Sequence, residues 1–291
     1  MPPTLSIGLP CFNPGRFLME AVQSILTQSF EDWELIVVDD GSQDGSVSSI
    51  KALTDGRIRI FSDGLHRGLA ARLNEIVAVS RGEYIARMDA DDLSHPLRFE
   101  MQLQFLKENP DIDGVGCALI SFDHAYRAVG SRTFPADMAS IAKDPLTGIR
   151  IAHATFCARR EWFEAHPYNE RNIGCEDWEL WQSSYRNSHF ANLAQPLYFY
   201  REFDSFSLPK YLQSKLAMTR LQWDSRCQFG FRRTALTCAT NLAASAVYLL
   251  AGAFGFTNSM IARRSQTMGK DTQQEFMRVL EQIRRTKQSK A

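Results

Sequence analysis

The sequence lacks several features that would point directly to a function. Its 33 Lys and Arg residues are matched by 33 Asp and Glu residues. No net charge therefore attracts the chain to nucleic acid, and we expect no nucleic-acid partner. The first residues contain no basic region followed by an apolar run and a small-residue cleavage site, which predicts a cytoplasmic location. The six cysteines form no CxxC pair and the six histidines no HExxH motif, which argues against a disulfide framework or a zinc site.

A regular alternation of strand and helix patterns does occupy the first 120 residues. Short apolar runs, among them LSIGL, ELIVV and EYIARM, alternate with amphipathic segments at 16–28, 44–53 and 69–80. Such alternation predicts right-handed crossovers and an α/β fold with a mostly parallel central sheet flanked by helices. Ligands of such folds bind at the carboxyl ends of the strands, so we expect a site along that edge.

Both acidic clusters of this half follow strands. DDGSQD, from Asp39, follows ELIVV, and DADD, from Asp89, follows EYIARM, so one crevice would hold both. Two carboxylates one residue apart on a turn can point at one cation, and Mg²⁺ or Mn²⁺ is often held by one or two carboxylates with phosphate oxygens and water completing the shell. The pattern therefore suggests a phosphorylated substrate.

Other interpretations of these clusters stay open on the residues alone. Asp91, Asp92 and Ser94 would also cap a helix that opens at His95, and DDGS would form an Asx turn. A phosphohydrolase would use Asp89 as nucleophile and Asp91 as acid, and a non-enzymatic module would bind Ca²⁺. Against these two stand Leu93, where Thr or Val is wanted, and Ser94 in place of the Gly of a calcium loop.

The chain resembles the family 2 glycosyltransferases with the GT-A fold, a Rossmann-like architecture. The resemblance rests on the stretches LSIGLPCFNPGRFLMEAVQSILTQSFEDWELIVVDDGSQDGS, HRGLAARLNEIVAVSRGEYIARMDADD, GCEDWEL and PLYFYR, which are specific as an ordered set although each is weak alone. It implies an inverting enzyme that transfers a sugar from a UDP- or dTDP-sugar to a glycan or lipid-linked glycan acceptor.

The same resemblance implies residues for the nucleoside. Pro10 and Phe12 would line the base pocket, with Phe12 stacking on the ring. Asp40 would accept a hydrogen bond from the base imide, which favours uridine or thymidine. Arg72 would lie on the nucleotide or phosphate side, although a solvated arginine on a helix explains it equally well.

For the diphosphate, the resemblance implies that Asp89 meets the ribose and that Asp91 ligates Mn²⁺ or Mg²⁺, the expected cofactor. A cation placed there would stabilise the charge that builds up on the departing nucleoside diphosphate. Arg201 of PLYFYR would reach the diphosphate. Many relatives carry a His two positions after this arginine, but Phe203 stands there, with Asp204 next to it.

On the acceptor side, the resemblance matches Glu176 and Asp177 of GCEDWEL to the family's catalytic acid pair. Asp177 would deprotonate the acceptor hydroxyl, because an inverting displacement needs one base opposite the leaving group. The alternative is that both acids complement a helix N-terminus. His153 is a further candidate for a substrate contact.

The end of the chain has a different composition. We divide the chain into a GT-A domain at 1–208, with a nucleotide-binding half at 1–120 and an acceptor half at 121–208, and a helical extension at 209–291. The segment 234–262 carries no formal charge and is flanked by arginines. We rank peripheral membrane contact through 226–264, at the inner face of the cell membrane, above a buried hairpin and a true span.

Overall fold

The computed structural model describes residues 1–171, 174–202, 207–253 and 266–289. Within these ranges nine strands form one sheet. The strands are β1 Leu5–Cys11, β2 Trp33–Asp39, β3 Ile58–Ser62, β4 Tyr84–Arg87, β5 Leu93–Ser94, β6 Gly114–Phe122, β7 Ala128–Arg132, β8 Cys157–Arg159 and β9 Phe190–Arg201. The helices are α1 Phe17–Leu26, α2 Ser46–Lys51, α3 Leu69–Val79, α4 Arg98–Glu108, α5 Met138–Ile141, α6 Arg160–Ala165, α7 Glu176–Ser184, α8 Leu208–Asp224, α9 Arg226–Phe229, α10 Phe231–Ala253 and α11 Lys270–Ser289.

The sheet has the order β3-β2-β1-β4-β8-β6-β9-β5, with β7 beside β6. The first four strands in this order are parallel, as predicted. Because Cys11 lies opposite Asp39 and Asp39 opposite Ser62, the carboxyl ends of β1, β2 and β3 meet at one edge. The second half is mixed, since β8 is antiparallel to both of its neighbours.

Apolar side chains on both faces of the sheet explain the continuous hydrophobic runs of the central strands. Leu35 and Val37 of β2 face one core, which α1 and α4 cover. Ile36 and Val38 of the same strand face a second core, which α3, α6 and α7 cover. This arrangement confirms the predicted α/β fold with helices on both faces.

The residues after β4 do not form the helix cap that one interpretation of DADD predicts. Leu93 and Ser94 form the short strand β5, which pairs with β9. Helix α4 begins only at Arg98, and no side chain caps it. The interpretation that Asp91, Asp92 and Ser94 cap a helix opening at His95 is therefore wrong, because pairing with β9 keeps this segment extended.

A buried polar pair on α4 holds the junction between β4, β8 and β6. The guanidinium of Arg98, fully buried, donates to the carbonyl of Arg87 over 2.7 Å, and its Nε donates to Gln102 over 3.1 Å. Gln102 in turn donates to the carbonyls of Val115 and Thr155. These bonds satisfy backbone groups where parallel strand order breaks.

After β9 the described elements are helices, apart from one bridge between Gln266 and Ser131. The helical part is not a separate appendage. Helix α11 returns to the sheet and buries Phe276, Val279, Leu280 and Ile283 against a core that includes Leu93 and Phe199. The last helix thus packs beside β5, directly after the acidic turn. The boundary at residue 208 stays our interpretation.

Replacing Gln102 with Leu is expected to lower the free energy of unfolding by about 2–4 kcal/mol, because two carbonyls and Arg98 Nε lose their partner inside the core. Urea denaturation measures the change. The matched control is Gln104→Leu on the exposed face of the same helix, expected to change stability by less than about 0.5 kcal/mol. Equal effects of both substitutions would contradict this role for the buried amide.

Candidate active site

One end of the site lies where β1 and β2 finish. Phe12, the residue after β1, is 50% exposed, and its ring centroid lies 4.3 Å from that of His66. His66 Nδ1 lies 2.8 Å from Asp40 Oδ2, so Phe12, His66 and Asp40 form one group. Pro10 is buried within β1, opposite Val38. An exposed aromatic ring next to an anchored carboxylate is a surface suited to a flat, hydrogen-bonding ligand.

Asp40 also organises the loop that leads into α3. Its carboxylate accepts hydrogen bonds from the backbone of Arg67 and Gly68 and from Arg72 Nε, the last over 2.8 Å. The side chain of Arg72 is 1% exposed, so the interpretation as a solvated helical arginine is wrong. The remaining N–H groups of Arg72 are directed at Asp63, Glu75 and the carbonyl of Leu65.

These bonds use all five N–H groups of the guanidinium. Hydrogen bonds donated by Arg72 lower the pKa of Asp63 to about 2. The bonds that Arg72 donates to Asp63, Asp40 and Glu75 raise the pKa of Arg72 itself. A buried cation neutralised by three carboxylates is a rigid element. Arg72 therefore lies behind Asp40 and holds it in place.

The second acidic turn follows β4. Asp89 is half-buried and pairs with Arg87 over 2.8 Å, and its backbone N–H donates to the hydroxyl of Tyr198. Burial and the neighbouring Asp89 carboxylate raise the pKa of Asp91 to about 6. Crowded acids in a poorly solvated turn are a place where a bound cation lowers the electrostatic cost.

Behind this turn lie two buried groups, Asp92 and Arg201. Asp92 Oδ1 accepts from the backbone N–H of Arg201 over 2.7 Å, and Arg201 Nε donates to the carbonyl of Asp91 over 2.7 Å. Burial, with Asp91 and Asp89 adding to it, raises the pKa of Asp92 well above its usual value. The guanidinium of Arg201 also pairs with Glu20 of α1 and lies 4.1 Å from the ring of Phe17.

A cavity of about 440 Å³ opens beside Asp89. Arg87, Asp89, His153, Glu176 and Asp177 all line it, so the structure brings the predicted catalytic pair to the acidic turn. Glu176 accepts from the backbone N–H of Gly174 over 2.9 Å, and burial raises the pKa of its carboxyl group. Both acids lie in the first turn of α7, where the helix dipole stabilises negative charge.

His153 contributes a neutral imidazole to the cavity wall. Its Nε2 lies 2.7 Å from the hydroxyl of Tyr168. Burial, reinforced by the positive charge of Arg87, holds the pKa of His153 well below its usual range. Asn74 of α3 fixes Tyr168 through its backbone, accepting from the N–H and donating to the carbonyl. The pair is thus positioned by both halves of the chain.

Four residues of this site have no role at the site in the sequence-based prediction: His66, Arg87, Tyr168, and Asp92, which appears there only within DADD and as a helix cap. Arg87 carries a usable signal, because a basic residue ending an apolar strand before three acids is expected to pair with one of them. The other three depend on loops whose path the sequence does not show. Phe203 and Asp204 lie outside the described residues.

The described side chains offer few ligands for a metal ion. In the part of the chain that the structure describes, no cluster of three or more His, Cys, Asp and Glu has metal-binding geometry. The acidic turn offers Asp91, with Asp89 next to it. A donor set of one or two carboxylates fits Mg²⁺ or Mn²⁺ that shares phosphate oxygens with a substrate, and does not fit a structural zinc site.

Comparison with known sequences places the chain among glycosyltransferases. Residues 6–166 match the model of the family described as glycosyl transferase family 2. The chain is 33% identical over 212 residues to the glycosyltransferase EpsE of Bacillus subtilis, covering 69% of this chain and 73% of EpsE. It is 29% identical over 214 residues to an uncharacterized glycosyltransferase of Haemophilus influenzae, covering 68% and 65% of the two proteins.

Solved structures show the same fold at low identity. TarS 1–349 of S. aureus superposes with a TM-score of 0.58 at 17% identity, over 74% of this chain and 64% of that chain. The mannosyltransferase PcManGT of Pyrobaculum calidifontis, in complex with GDP-Man and Mn²⁺, has a TM-score of 0.57 at 16% identity and covers 97% and 86% of the two chains. At these identities the likeness concerns the GT-A fold alone.

The family match spans more than half of the chain and includes both acidic turns of the sheet edge. EpsE, at 33% identity, matches over most of both proteins. The chain therefore belongs to glycosyltransferase family 2 and is a glycosyltransferase.

Proposed function

We propose that this enzyme is an inverting glycosyltransferase that takes a sugar from a UDP- or dTDP-sugar, with help from Mn²⁺ or Mg²⁺, and transfers it to a glycan or lipid-linked glycan. One observation carries the proposal: Asp40 and the Asp89–Asp92 turn lie at the ends of β2 and β4, and β1, which ends next to Phe12, runs between those two strands. Two strand spacings amount to about 10 Å, which suits a nucleoside at one end and its diphosphate at the other.

At the nucleoside end, Phe12 supplies a ring for stacking and Asp40 an acceptor for the imide N–H of uracil or thymine. TarS has been solved with UDP and with UDP-GlcNAc, and PcManGT with GDP-Man, which supports a nucleotide-sugar donor. We assign Arg72 to positioning Asp40, because all of its N–H groups are already bonded within the protein. Pro10 shapes the end of β1 beneath the base.

At the diphosphate end, Asp89 would meet the ribose and Asp91 would hold the metal ion. The residues fit such an ion, because its positive charge would stabilise the ionised form of Asp91, whose pKa is raised in the protein alone. When bound, the ion would offset the negative charge on the nucleoside diphosphate as it leaves. Arg201 would support this turn from behind by holding the carbonyl of Asp91 and the carboxyl of Asp92, so we assign it to positioning rather than to direct diphosphate binding.

On the acceptor side, Asp177 is the proposed base. It lines the cavity next to Asp89, and one of its oxygens, Oδ1, accepts from the backbone N–H of Trp178 over 2.7 Å. That bond orients the carboxylate and leaves Oδ2 for an acceptor hydroxyl. Glu176, whose pKa burial raises, would bind a sugar hydroxyl nearby. A glycosyltransferase would use both the Phe12–Asp40 group and the Asp89–Asp92 turn. A phosphohydrolase or a calcium-binding module would have no use for the Phe12–Asp40 group.

Replacing Phe12 with Ala is expected to weaken UDP binding about tenfold, because stacking of a base on an aromatic ring contributes about 1–3 kcal/mol. Isothermal titration calorimetry with UDP measures the dissociation constant. Phe12→Tyr is the matched control: it keeps the ring and should bind as the wild type does. If the Ala variant binds UDP as tightly as the Tyr variant, the base lies elsewhere.

A panel of nucleotide-sugars with Mn²⁺ tests the donor and the metal together. We expect hydrolysis or transfer with UDP- or dTDP-sugars only, and a loss of at least about a hundredfold in Asp91→Asn. Without metal, the same variant should be more stable than the wild type at pH 8, by up to about 3 kcal/mol, because it removes a carboxylate whose folded-state pKa is raised. Equal turnover by the two proteins would contradict the metal assignment.

The size of that stability difference depends on pH in a defined way. The folded-state pKa of Asp91 is about 6, above its ordinary value of 3.8. The ionised group therefore destabilises the fold once the pH exceeds the unfolded value, and the penalty is complete above pH 6. Thermal unfolding of the metal-free proteins at pH 4 and pH 8 should show the variant's advantage at pH 8 only.

Replacing Asp177 with Asn is expected to lower kcat by at least about a hundredfold while leaving UDP affinity unchanged, because the acceptor hydroxyl loses its base but the donor site is intact. Glu176→Gln is the comparison, with a smaller loss of kcat and a raised acceptor KM. Steady-state kinetics with the active donor separates the two. A larger kcat defect for Glu176→Gln would move the base to that residue.

A further inference from the structure

Helix α10 carries an apolar face that the described protein leaves uncovered. Among the described helices, α10 is the one long and apolar enough to cross a membrane, and 11% of its most apolar stretch is buried in the protein. Leu236 is 67% and Leu250 62% exposed. At a helical spacing of 100° per residue, the exposed side chains between these two leucines fall on one face. Thr240, at the edge of that face, is its one polar residue. The apolar residues are Ala239, Leu242, Ala243, Ala246, Val247 and Leu249.

The opposite face of α10 is bonded to α8. Asn241 donates to Gln222 over 2.6 Å, and the rings of Tyr248 and Tyr211 lie 4.4 Å apart. Gln222 in turn donates to the carbonyl of Leu146 in the enzyme domain over 2.8 Å. The two contacts between the helices span about 10 Å along α10, so the helix lies along the enzyme and turns its apolar face outward.

This attachment decides between lying on a membrane and crossing it. A spanning α10 would draw α8 into the hydrocarbon, yet α8 carries Lys210, Lys215, Arg220 and Asp224, each costly at that depth. A helix held along its length by a charged partner exposes one face only. The geometry suits a helix that rests in the plane of the interface with that face buried among the lipids.

The charges that flank α10 in the sequence indicate the kind of surface. Between residues 225 and 270 the sequence has no acidic residue but six basic ones, at 226, 232, 233, 263, 264 and 270, in a chain whose net charge is zero. Arg226 lies 5.5 Å from the ring of Trp223, which packs edge-on against Phe231. Aromatic and basic side chains at the end of an apolar face are typical of a lipid headgroup contact.

We propose that the exposed face of α10, from Leu236 to Leu250, docks in plane on an anionic lipid bilayer, with Trp223, Arg226 and Arg232 at the headgroup level. One consequence rests on the proposed function. Ser214 of α8 lines the cavity with Glu176 and Asp177, and it donates to the carbonyl of Gly174. Docking through α10 would then hold the mouth of the cavity near the membrane, where a lipid-linked acceptor is carried.

The test is cosedimentation of the full chain with sucrose-loaded vesicles, made of phosphatidylcholine with or without phosphatidylglycerol. We expect binding at least about tenfold tighter with phosphatidylglycerol, because each basic residue at an anionic surface contributes about 1 kcal/mol. Leu236→Gln/Leu250→Gln should weaken that binding at least about tenfold. Arg226→Gln/Arg232→Gln should remove the preference for the anionic lipid.

A matched control makes equally polar changes on the enzyme domain. Leu97 and Val129 are also exposed, and Leu97→Gln/Val129→Gln should bind vesicles as the wild type does, with all variants unfolding at the same temperature. Trp223 gives a second readout, because it is 38% exposed while the other four tryptophans are buried. Its fluorescence should shift to the blue with anionic vesicles and be quenched by brominated lipids.

Three results would overturn the proposal. One is equal vesicle binding by the wild type and Leu236→Gln/Leu250→Gln. Another is a wild-type dimer in light scattering that this variant dissociates, with no vesicle binding, which would assign the face to a second copy of the chain. The third is retention of the protein on membranes after a carbonate wash, which would indicate a span. The assay contains no nucleotide or sugar, so its failure leaves the proposed reaction untouched.

Discussion

The site depends on holding several carboxylates close together at the end of one strand. Asp89, Asp91 and Asp92 crowd into a turn, and burial with mutual repulsion raises the pKa of the last two. Buried arginines make the turn tolerable from both sides. Arg87 pairs with Asp89 beside the cavity, and Arg201 holds the backbone of Asp91 and the carboxyl of Asp92 from the core. The turn is thereby rigid before any ligand arrives, as a preorganised site requires.

The support for this turn reaches distant parts of the chain. Arg201 pairs with Glu20 of α1, and Glu20 also accepts from the hydroxyl of Tyr126 over 2.5 Å. The guanidinium of Arg284, on α11, lies 4.1 Å from the ring of Tyr126. The C-terminal helix α11 is therefore part of the same packed unit as the acidic turn, whereas α10 packs against α8 and α9.

Buried arginines play the same part elsewhere in the protein. Arg72 fixes Asp40 at the end of β2, and Arg98 fixes the backbone where β4 meets β8. A buried guanidinium is costly unless its donors are satisfied, but it can bind several loops at once and in one geometry. The molecule thus shapes its loops with polar contacts. Helix α10 is the opposite case, with an apolar surface that no described element covers.

The sequence by itself determined the alternation of β1 to β4 with their helices, the acidic ends of β2 and β4, and the family, because these depend on local periodicity and short ordered motifs. Tertiary structure alone decided what Arg72 and Arg201 do, since their partners Asp40 and Asp92 are 32 and 109 residues away. It also decided that Leu93 and Ser94 extend to pair with β9, and that α10 presents one bare face. Such outcomes depend on which distant segments pack together, and local pattern carries no record of that choice.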